Sequence, residues 1–117
     1  MIKLIVAIRR RAGMSPADFQ DHWRNQHAKL VRDCPATGKY VRRYIQCHTM
    51  LDEYAQGEVA FDGTAELWFD NVADKDAFFS DPDYLRDVNP DEERFADMTR
   101  TVFFVTEEEP VFDNQQD

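Results

Sequence analysis

The stretch of sequence that decides the fold reads Met14-Ser-Pro-Ala-Asp-Phe-Gln-Asp-His-Trp-Arg-Asn-Gln-His-Ala-Lys-Leu-Val31. It predicts a helix with a well-formed start. Ser15 can accept a hydrogen bond from an early backbone N–H, Pro16 suits the first helical position, and Asp18 suits the first turn. We expect this helix to end near Arg32, shortly before a proline.

Helical spacing of 100° per residue gives this helix an apolar stripe with His27 at its edge. The stripe consists of Phe19, Trp23, Gln26 and Leu30. His22 falls about 100° from the centre of the stripe, so we expect His27 to face inwards and His22 to face outwards. The inward edge is where we expect chemistry. The alternative is that His27 is a buried histidine whose ring nitrogens bind the backbone, because unusual titratable groups mark functional sites only statistically.

The rest of the chain predicts four strands, a second helical region and two loops. The strands are Ile2–Arg10, Lys39–Thr49, Thr64–Asp70 and Thr99–Thr106. Asn71 is the expected N-cap of a second helix, with Asp74 in the capping-box position. That helix ends near Asp81 and is followed by short helical turns. We expect loops over Ala36–Lys39 and Met50–Phe61, where glycine and polar residues collect.

The predicted order of elements is β-α-β-β-α-β. This order is typical of the ferredoxin-like α+β fold, a four-stranded antiparallel sheet with helices on one face. The first strand is apolar on both of its faces, so the second face of the sheet needs a cover. Two sheets packed face to face across a two-fold axis would provide it. We therefore predict a homodimeric α+β barrel built from residues 1–106, followed by an acidic tail, 107–117.

Composition excludes several classes of function. The net charge of −9 over 117 residues argues against nucleic-acid binding, which needs clustered cations. No apolar run approaches the ~20 residues of a membrane span, and Met1 leads directly into a strand pattern rather than a signal segment. Cys34 and Cys47 are the only cysteines and form no disulfide framework. We therefore expect a protein of the cytoplasm without a membrane partner.

Three segments together resemble the EthD family. The first is Phe19-x-x-His-Trp-x-x-x-His27-Ala-x-Leu30-Val31, after a strand that ends in Arg-Arg. The others are Arg43-Tyr-Ile-Gln-Cys-His48 and Phe61-Asp-Gly-Thr-Ala-Glu-Leu-Trp-Phe-Asp70. The resemblance extends from Ile2 to about Thr106. It implies a dimeric α+β barrel, and the family's recurrent histidine on the first helix corresponds to His27.

The resemblance also carries the family's strand-two tyrosine and histidine onto Tyr44 and His48. Cys47 departs from the family, where a polar residue is common, and this puts the hydrogen bonding of His48 in question. Proteins similar to this one include accessory proteins of ether degradation and dehydratases or decarboxylases of polyketide intermediates. Isomerases, cyclases, quinone-forming monooxygenases and haem-binding enzymes occur in the wider superfamily. The fold alone does not choose among these activities.

We place the candidate site where the first helix meets the second strand. If the strand face with Tyr40, Tyr44 and His48 points towards the helices, it shares one cavity with Trp23 and His27. The catalytic hypothesis has His27 as general base or acid, His48 as its partner and Tyr44 as donor to a developing oxyanion. The side chains expected to bind substrate are Trp23, Tyr40, Phe19, Trp68 and Glu66.

These groups suit proton abstraction next to a carbonyl, followed by dehydration, decarboxylation or isomerisation, with no cofactor. The expected substrate is a small hydrophobic aromatic or polyketide-like compound of a degradation or secondary-metabolite pathway. One alternative is a cofactor-independent or haem-dependent monooxygenase with His27 as the haem ligand. Another is a non-catalytic accessory protein that binds such compounds. A metal site of His22, His27 and His48 is a weaker alternative, because His22 points elsewhere.

Glu66 and Trp68 share one face of the third strand. Glu66 could be an acid of raised pKa among aromatic side chains. Alternatively it pairs with an arginine such as Arg42 or Arg100 on an adjacent strand.

Overall fold

The computed structural model describes residues 1–115, and the last two residues of the predicted tail, 116–117, lie outside that range. The strands are β1 (Ile2–Ile8), β2 (Val41–His48), β3 (Gly63–Phe69) and β4 (Val102–Thr106). The α-helices are α1 (Pro16–Asp21), α2 (Ala28–Asp33), α3 (Pro35–Tyr40), α4 (Val72–Ser80), α5 (Pro82–Asp87) and α6 (Asn89–Phe95). A π-helical segment, His22–His27, joins α1 to α2, and a 3-10 helix, Leu51–Gln56, follows β2.

The four strands form one antiparallel sheet in the order β2-β3-β1-β4. This is the ferredoxin-like arrangement, so the predicted α+β fold is confirmed. The register places Leu4 opposite Leu67 and Val6 opposite Ala65, and these four side chains face the helices and are buried. Tyr44 pairs with Leu67, so the β2 face that carries Tyr44, Gln46 and His48 also points towards the helices.

The first helix differs from the predicted regular α-helix. Its start is as expected, since the Ser15 hydroxyl accepts from the backbone N–H of Asp18 at 3.1 Å. In the π-helical segment the backbone N–H of Ala28 bonds the carbonyl of Trp23, five residues back. This wide turn changes the helical phase, so Gln26 is exposed rather than part of the apolar stripe. The buried series is instead Phe19, Trp23, His27 and Val31.

The indole of Trp23 is fully buried against the sheet. A Cβ at residue 63 would lie 2.5 Å from the Trp23 ring and 2.5 Å from the carbonyl oxygen of Cys47. Only glycine leaves room for this contact. Position 63 therefore sets how closely the helix can approach the sheet.

The predicted connections are partly wrong. The expected loop after the first helix contains α3, because Pro35 pre-sets the backbone for a helix start, and it ends at Tyr40. Strand β2 consequently begins at Val41, and a bulge between Val41 and Arg43 interrupts its alternation. The expected loop Met50–Phe61 contains the 3-10 helix. The predicted cap of α4 is confirmed, since Asn71 Oδ1 accepts from the N–H of Asp74 at 2.8 Å.

The opposite face of the sheet carries no helix within the described residues, and we call it the outer face. It presents Lys3, Ile5, Ala7, Arg43, Ile45, Cys47, Thr64, Glu66, Trp68, Val102 and Phe104. Val102 and Phe104 remain 47% and 46% exposed. In the tail, the Glu108 carboxylate accepts from Trp68 Nε1 at 2.7 Å. No helix among the described residues is long and apolar enough to cross a bilayer.

Candidate active site

A cavity of about 60 Å³ lies between the inner face of the sheet and helices α4 to α6. Its lining is mainly aliphatic and aromatic, with contributions from β1, β2, β3, β4, the first helix and α6. The polar side chains on its wall are Trp23, His27, Tyr44, Tyr84, Glu92 and Thr101. Among the lining residues Phe103 is 46% exposed, which places the opening beside β4. The cavity therefore joins an apolar interior to a few fixed polar groups, the usual make-up of a small-molecule site.

His27 is held by a buried carboxylate on α6. Its Nδ1 lies 2.9 Å from Asp91 Oδ2, and the two residues are 6% and 3% exposed. Burial lowers the pKa of His27, although the contact with Asp91 opposes this effect. His27 is thus neutral at pH 7, with the proton on Nδ1 directed at the carboxylate. Within residues 1–115 no hydrogen bond is formed by Nε2, the nitrogen left to face the cavity.

Asp91 also binds the second histidine of the helix. His22 Nε2 lies 3.0 Å from both Asp91 oxygens, and the ring stacks on Phe95 with centroids 5.1 Å apart. The prediction that His22 faces outwards is therefore wrong, because the π-helical turn brings both histidines to one side. Burial alone would raise the pKa of Asp91, but hydrogen bonds from His27, His22 and Arg94 hold it below its usual value.

Tyr44 enters the cavity wall from β2. Its hydroxyl accepts from Gln46 Nε2 at 2.9 Å, and Gln46 is fixed by a second bond to the carbonyl of Trp23 at 3.0 Å. Burial raises the pKa of Tyr44, so the phenol keeps its proton at pH 7. In the described part of the chain the buried Nε1 of Trp23 has no hydrogen-bond acceptor. The Trp23 N–H lies near the Tyr44 hydroxyl and partly opposes the rise in its pKa, so these two groups form a pair of donors that a ligand oxygen can meet.

Glu92 is a carboxyl group in an apolar wall. Its Oε2 accepts from the hydroxyl of Tyr84 at 2.7 Å. No lysine or arginine is among the residues that line the cavity. Burial raises the pKa of Glu92 to about 7, with smaller contributions from the charges of Asp91 and Glu93. A substantial fraction of Glu92 is therefore protonated near neutral pH.

His48 does not share the cavity, contrary to the prediction. It packs on the indole of Trp23, with ring centroids 4.2 Å apart, and Trp23 is the residue that lines the cavity. Its two ring nitrogens face Gln20 Oε1 at 2.5 Å and Gln46 Oε1 at 2.7 Å. Burial and the charge of Arg24 lower the pKa of His48 to about 4. These contacts make His48 a support for Trp23 rather than a neighbour of His27.

Two predicted substrate-binding residues lie on the other side of the sheet. Glu66 and Trp68 are on the outer face, because they alternate with the inward-facing residues of β3. Glu66 pairs with Lys3 at 2.7 Å, not with Arg42 or Arg100, and this bond lowers the pKa of Glu66. The alternative of a raised pKa is therefore wrong, and the alternative of an ion pair is right in kind, with Lys3 in place of an arginine. Trp68 lies under Lys3 and Arg43, 4.8 and 4.7 Å from its ring centroid.

The remaining predicted contacts lie at the edge of the site. Phe19 is fully buried and packs on Trp23 and Phe95 at 5.6 and 5.5 Å between centroids, so it supports the wall from behind. Tyr40 ends α3, is partly buried against the core and does not line the cavity. The structure thus brings Trp23, His27 and Tyr44 together around one space, with Phe19 as backing.

Sequence reasoning missed Asp91 and Glu92. The segment Asn89-Pro-Asp-Glu-Glu-Arg-Phe95 has acids in a first helical turn, where they suit the helix dipole and are usually exposed. One signal was available, because Asp91 lies four residues before the apolar Phe95 and therefore on the same helical face. Asp91 is buried in α6, and Glu92 is half-buried on the cavity wall.

The predicted metal alternative lacks a ligand set in the described chain. Among residues 1–115 no group of three or more His, Cys, Asp or Glu side chains could hold a metal ion.

Comparison with known proteins gives a family and a fold. The EthD domain profile matches residues 11–99. The decarboxylase claH of Passalora fulva is 30% identical over 103 residues, 79% of this chain and 66% of that protein, so the chain spans just under two thirds of its length. An EthD family protein of Bacillus halodurans superposes with a TM-score of 0.69 at 21% identity, over 93% of this chain and 99% of that one. A dimeric ferredoxin-like protein of Bacteroides fragilis gives 0.67 at 16%, over 92% and 95%.

Proposed function

The chain belongs to the EthD domain family, and on this basis we propose that it is a lyase- or isomerase-type enzyme that works without a cofactor. Its substrate is a small hydrophobic aromatic or polyketide-like compound with a carbonyl group. For dehydration and isomerisation the first step is removal of a proton from the carbon next to that carbonyl, which gives an enolate. Decarboxylation reaches the same enolate by loss of carbon dioxide, and a protonated His27 would then return a proton to carbon.

The observation that carries this proposal is the orientation of His27. Asp91 accepts the Nδ1 proton at 2.9 Å, so Nε2 presents a lone pair to the apolar cavity. A neutral imidazole in this position can take a proton from carbon and become an imidazolium that the Asp91 carboxylate stabilises. Asp91 is a positioning residue, since it fixes the ring orientation and touches no substrate.

The negative charge that develops on the carbonyl oxygen needs donors. Tyr44 O–H is free to donate, and Gln46 holds its oxygen in place. Trp23 N–H has no other acceptor in the described chain. Fixed donors in a water-poor site stabilise a developing oxyanion strongly because they need no reorganisation.

Relatives support the class of reaction but not the particular substrate. The Passalora fulva relative is named a decarboxylase, and decarboxylation is a lyase reaction. The cavity is smaller than the roughly 300–1,000 Å³ usual for drug-sized ligands. A ring-containing substrate therefore requires side chains such as Phe79 and Phe103 to move at the opening beside β4.

We also propose that the enzyme is a homodimer joined through the outer face, and that it works in the cytoplasm. Val102 and Phe104 leave apolar surface on this face, which a second copy would bury. The Bacteroides fragilis protein of similar fold is described as dimeric. Both cysteines of the chain are free thiols, which suits a reducing compartment.

The proposal is tested with 2-tetralone, an uncharged aromatic ketone with exchangeable α-protons. Purified protein in D₂O at pD 7 is expected to accelerate incorporation of deuterium at these positions, followed by ¹H NMR. His27→Gln should lower the rate by about 10²–10⁴-fold, the usual contribution of a positioned base. His48→Gln is the matched histidine control and should retain the rate within about tenfold, because His48 lies outside the cavity.

A wild-type rate no higher than that of buffer would contradict the proposed reaction. If the protein still bound 2-tetralone, and His27→Gln bound it equally, a non-catalytic binding protein would be the better description. A Soret band on titration with haemin, lost in His27→Gln, would instead favour the haem-dependent alternative.

A further inference from the structure

We propose that Glu92 is a second catalytic residue of the cavity, a general acid that delivers a proton to an uncharged substrate oxygen while His27 removes one from carbon. This inference rests on the proposed function. It adds a proton donor that neither the sequence nor the comparisons indicate, and it restricts the substrate to compounds that bring no negative charge to Glu92.

The first support is the absence of a counter-ion. A carboxylate removed from water is costly unless a cation or several donors compensate it. Among residues 1–115 no salt bridge involves Glu92, and the lining contains no lysine or arginine. Its one side-chain bond is the donation from Tyr84 at 2.7 Å. In this surrounding the neutral acid is the form of Glu92 with the lower free energy.

The contrast with the adjacent residue is the second support. Asp91 receives contacts from His27, His22 and Arg94 at 2.9 to 3.2 Å, and these donors satisfy a carboxylate. Glu92, one residue later on α6, turns into the apolar cavity instead. Two neighbouring carboxyl groups whose surroundings push their pKa values apart are the usual mark of an acid–base assignment.

Tyr84 fixes the geometry of the acid. Tyr84 is 4% exposed, and its hydroxyl donates to Glu92 Oε2. The other oxygen, Glu92 Oε1, is therefore the one that carries the acidic proton. Burial, with the charge of Glu92, raises the pKa of Tyr84, which keeps the phenol a donor. Glu92, Tyr44 and Trp23 then offer three donors to substrate oxygens, whereas His27 Nε2 is the acceptor.

The proton transfer balances within the site. The C–H bond next to the carbonyl breaks, its proton binds His27 Nε2, and its electron pair forms the carbon–carbon double bond of the enol. The carbonyl oxygen takes the proton of Glu92, so the acid becomes a carboxylate and the histidine an imidazolium. Collapse of the enol reverses both transfers, or water exchanges the protons, and the enzyme returns to its starting state.

A substrate carboxylate at this position would find no cation to offset its removal from water, and the fraction of Glu92 that is ionised at pH 7 would repel it. Uncharged ketones and hydroxy ketones avoid both penalties. We therefore expect the protein to bind the uncharged ketone 2-tetralone more tightly than 2-naphthoate, an anion of similar shape.

The test compares Glu92→Gln with Glu93→Gln, the adjacent exposed carboxyl, by exchange of 2-tetralone in D₂O from pH 5 to 9. The wild-type rate should fall above pH ~7 as Glu92 ionises. Glu92→Gln should be about 10²-fold slower at pH 6 and should lose this alkaline limb, whereas Glu93→Gln should keep both the rate and the profile. Thermal unfolding of each variant checks the fold, and the alkaline limb is a readout that a structural role would not remove.

Equal rates and pH profiles for Glu92→Gln and wild type, with His27→Gln inactive, would overturn the role of Glu92 and leave the proposed base in place. No exchange by the wild type would overturn the proposed reaction and this inference together. Tighter binding of 2-naphthoate than of 2-tetralone at pH 7 would overturn the restriction to uncharged substrates.

Discussion

At the scale of single residues, the proposed site depends on two adjacent carboxyl groups whose pKa values are shifted in opposite directions. The donors around Asp91 lower its pKa, so it remains a carboxylate and orients His27. Glu92 has one phenol as its partner and a pKa raised to about 7 by burial. Because the folded protein holds this proton more tightly than the unfolded chain, Glu92 links the free energy of unfolding to pH.

This linkage predicts a stability difference that changes with pH. The pKa of Glu92 rises from 4.5 in the unfolded chain to about 7 in the fold, so the folded state loses stability as the pH rises between these values. The loss is about 3 kcal/mol in total. The variant Glu92→Gln cannot ionise at this position. Its free energy of unfolding, measured with urea, should therefore rise by about 3 kcal/mol relative to that of wild type between pH 4.5 and pH 8. A constant difference between the two proteins would contradict the raised pKa, and Glu93→Gln serves as the control.

The residues that sequence reasoning could find are those tied to local patterns. Periodicity placed Trp23 and His27 on or beside one helical stripe, and the resemblance to the EthD family singled out Tyr44. That the strand face of Tyr44 points towards the helices was a condition that the structure meets. Asp91 and Glu92 could not be assigned this way, because their positions beside the cavity depend on α6 packing on the first helix. His48 was misplaced for a similar reason, since only the packed indole of Trp23 separates it from the cavity.

At the scale of elements, the π-helical segment His22–His27 explains the histidine pair. On a regular α-helix, side chains five positions apart point in clearly different directions. In a π-turn each residue is hydrogen-bonded to the fifth one along, so the side chains of these two residues lie on the same side of the helix. His22 and His27 consequently meet the same Asp91 carboxylate. Nothing in the spacing of residues predicts the wider turn, so the expected outward position of His22 could not be avoided from the sequence.

Deletion of Asn25 would convert the π-helical segment to a regular α-helix, and it tests whether the wide turn is needed for activity rather than for folding. Asn25 is exposed, and its removal allows a regular α-helix in which the two histidines are four apart and still on one face. We expect the free energy of unfolding to change by less than about 1 kcal/mol. The 2-tetralone exchange rate should fall at least tenfold, since a shift of about 1 Å at a catalytic group can cost 10²-fold.

Deletion of the exposed Lys29 in α2 is the matched control. No wide turn exists there to absorb the missing residue, so Val31 and Cys34 would rotate out of the core and the protein should lose several kcal/mol. Equal destabilisation by the two deletions, measured by chemical unfolding, would show that the π-turn is needed for folding itself.

At the scale of the whole molecule, the order of the four strands and the two main helical regions was predictable from local signals. These were the apolar run of β1, the alternation of β2 and the caps at the starts of the first helix and α4. Which side chains lie on which face of the sheet was less predictable. The sequence grouped Glu66 and Trp68 with the cavity, yet the alternation of β3 places them with Lys3 on the outer face. In the proposed function the inner face holds the chemistry, and the outer face is the surface offered to a second subunit.

The proposed dimer predicts that charge on the outer face separates the subunits. Phe104→Lys places a cation on the edge strand β4, within the apolar surface next to Ile5, and should give a monomer by sedimentation velocity. Val72→Lys is the control, because Val72 is similarly exposed at 47% but lies at the start of α4. Wild-type protein that is monomeric at high micromolar concentration, or a dimer unaffected by Phe104→Lys, would contradict the proposed interface.

The most direct measurement of the central claim is a long-range ¹H–¹⁵N correlation spectrum of the histidine side chains at pH 7, with His27 assigned from the His27→Gln variant. The claim that His27 presents a free base to the cavity predicts a neutral ring protonated at Nδ1, with Nε2 at the chemical shift of an unprotonated nitrogen. A ring protonated at both nitrogens, or at Nε2 alone, would contradict it.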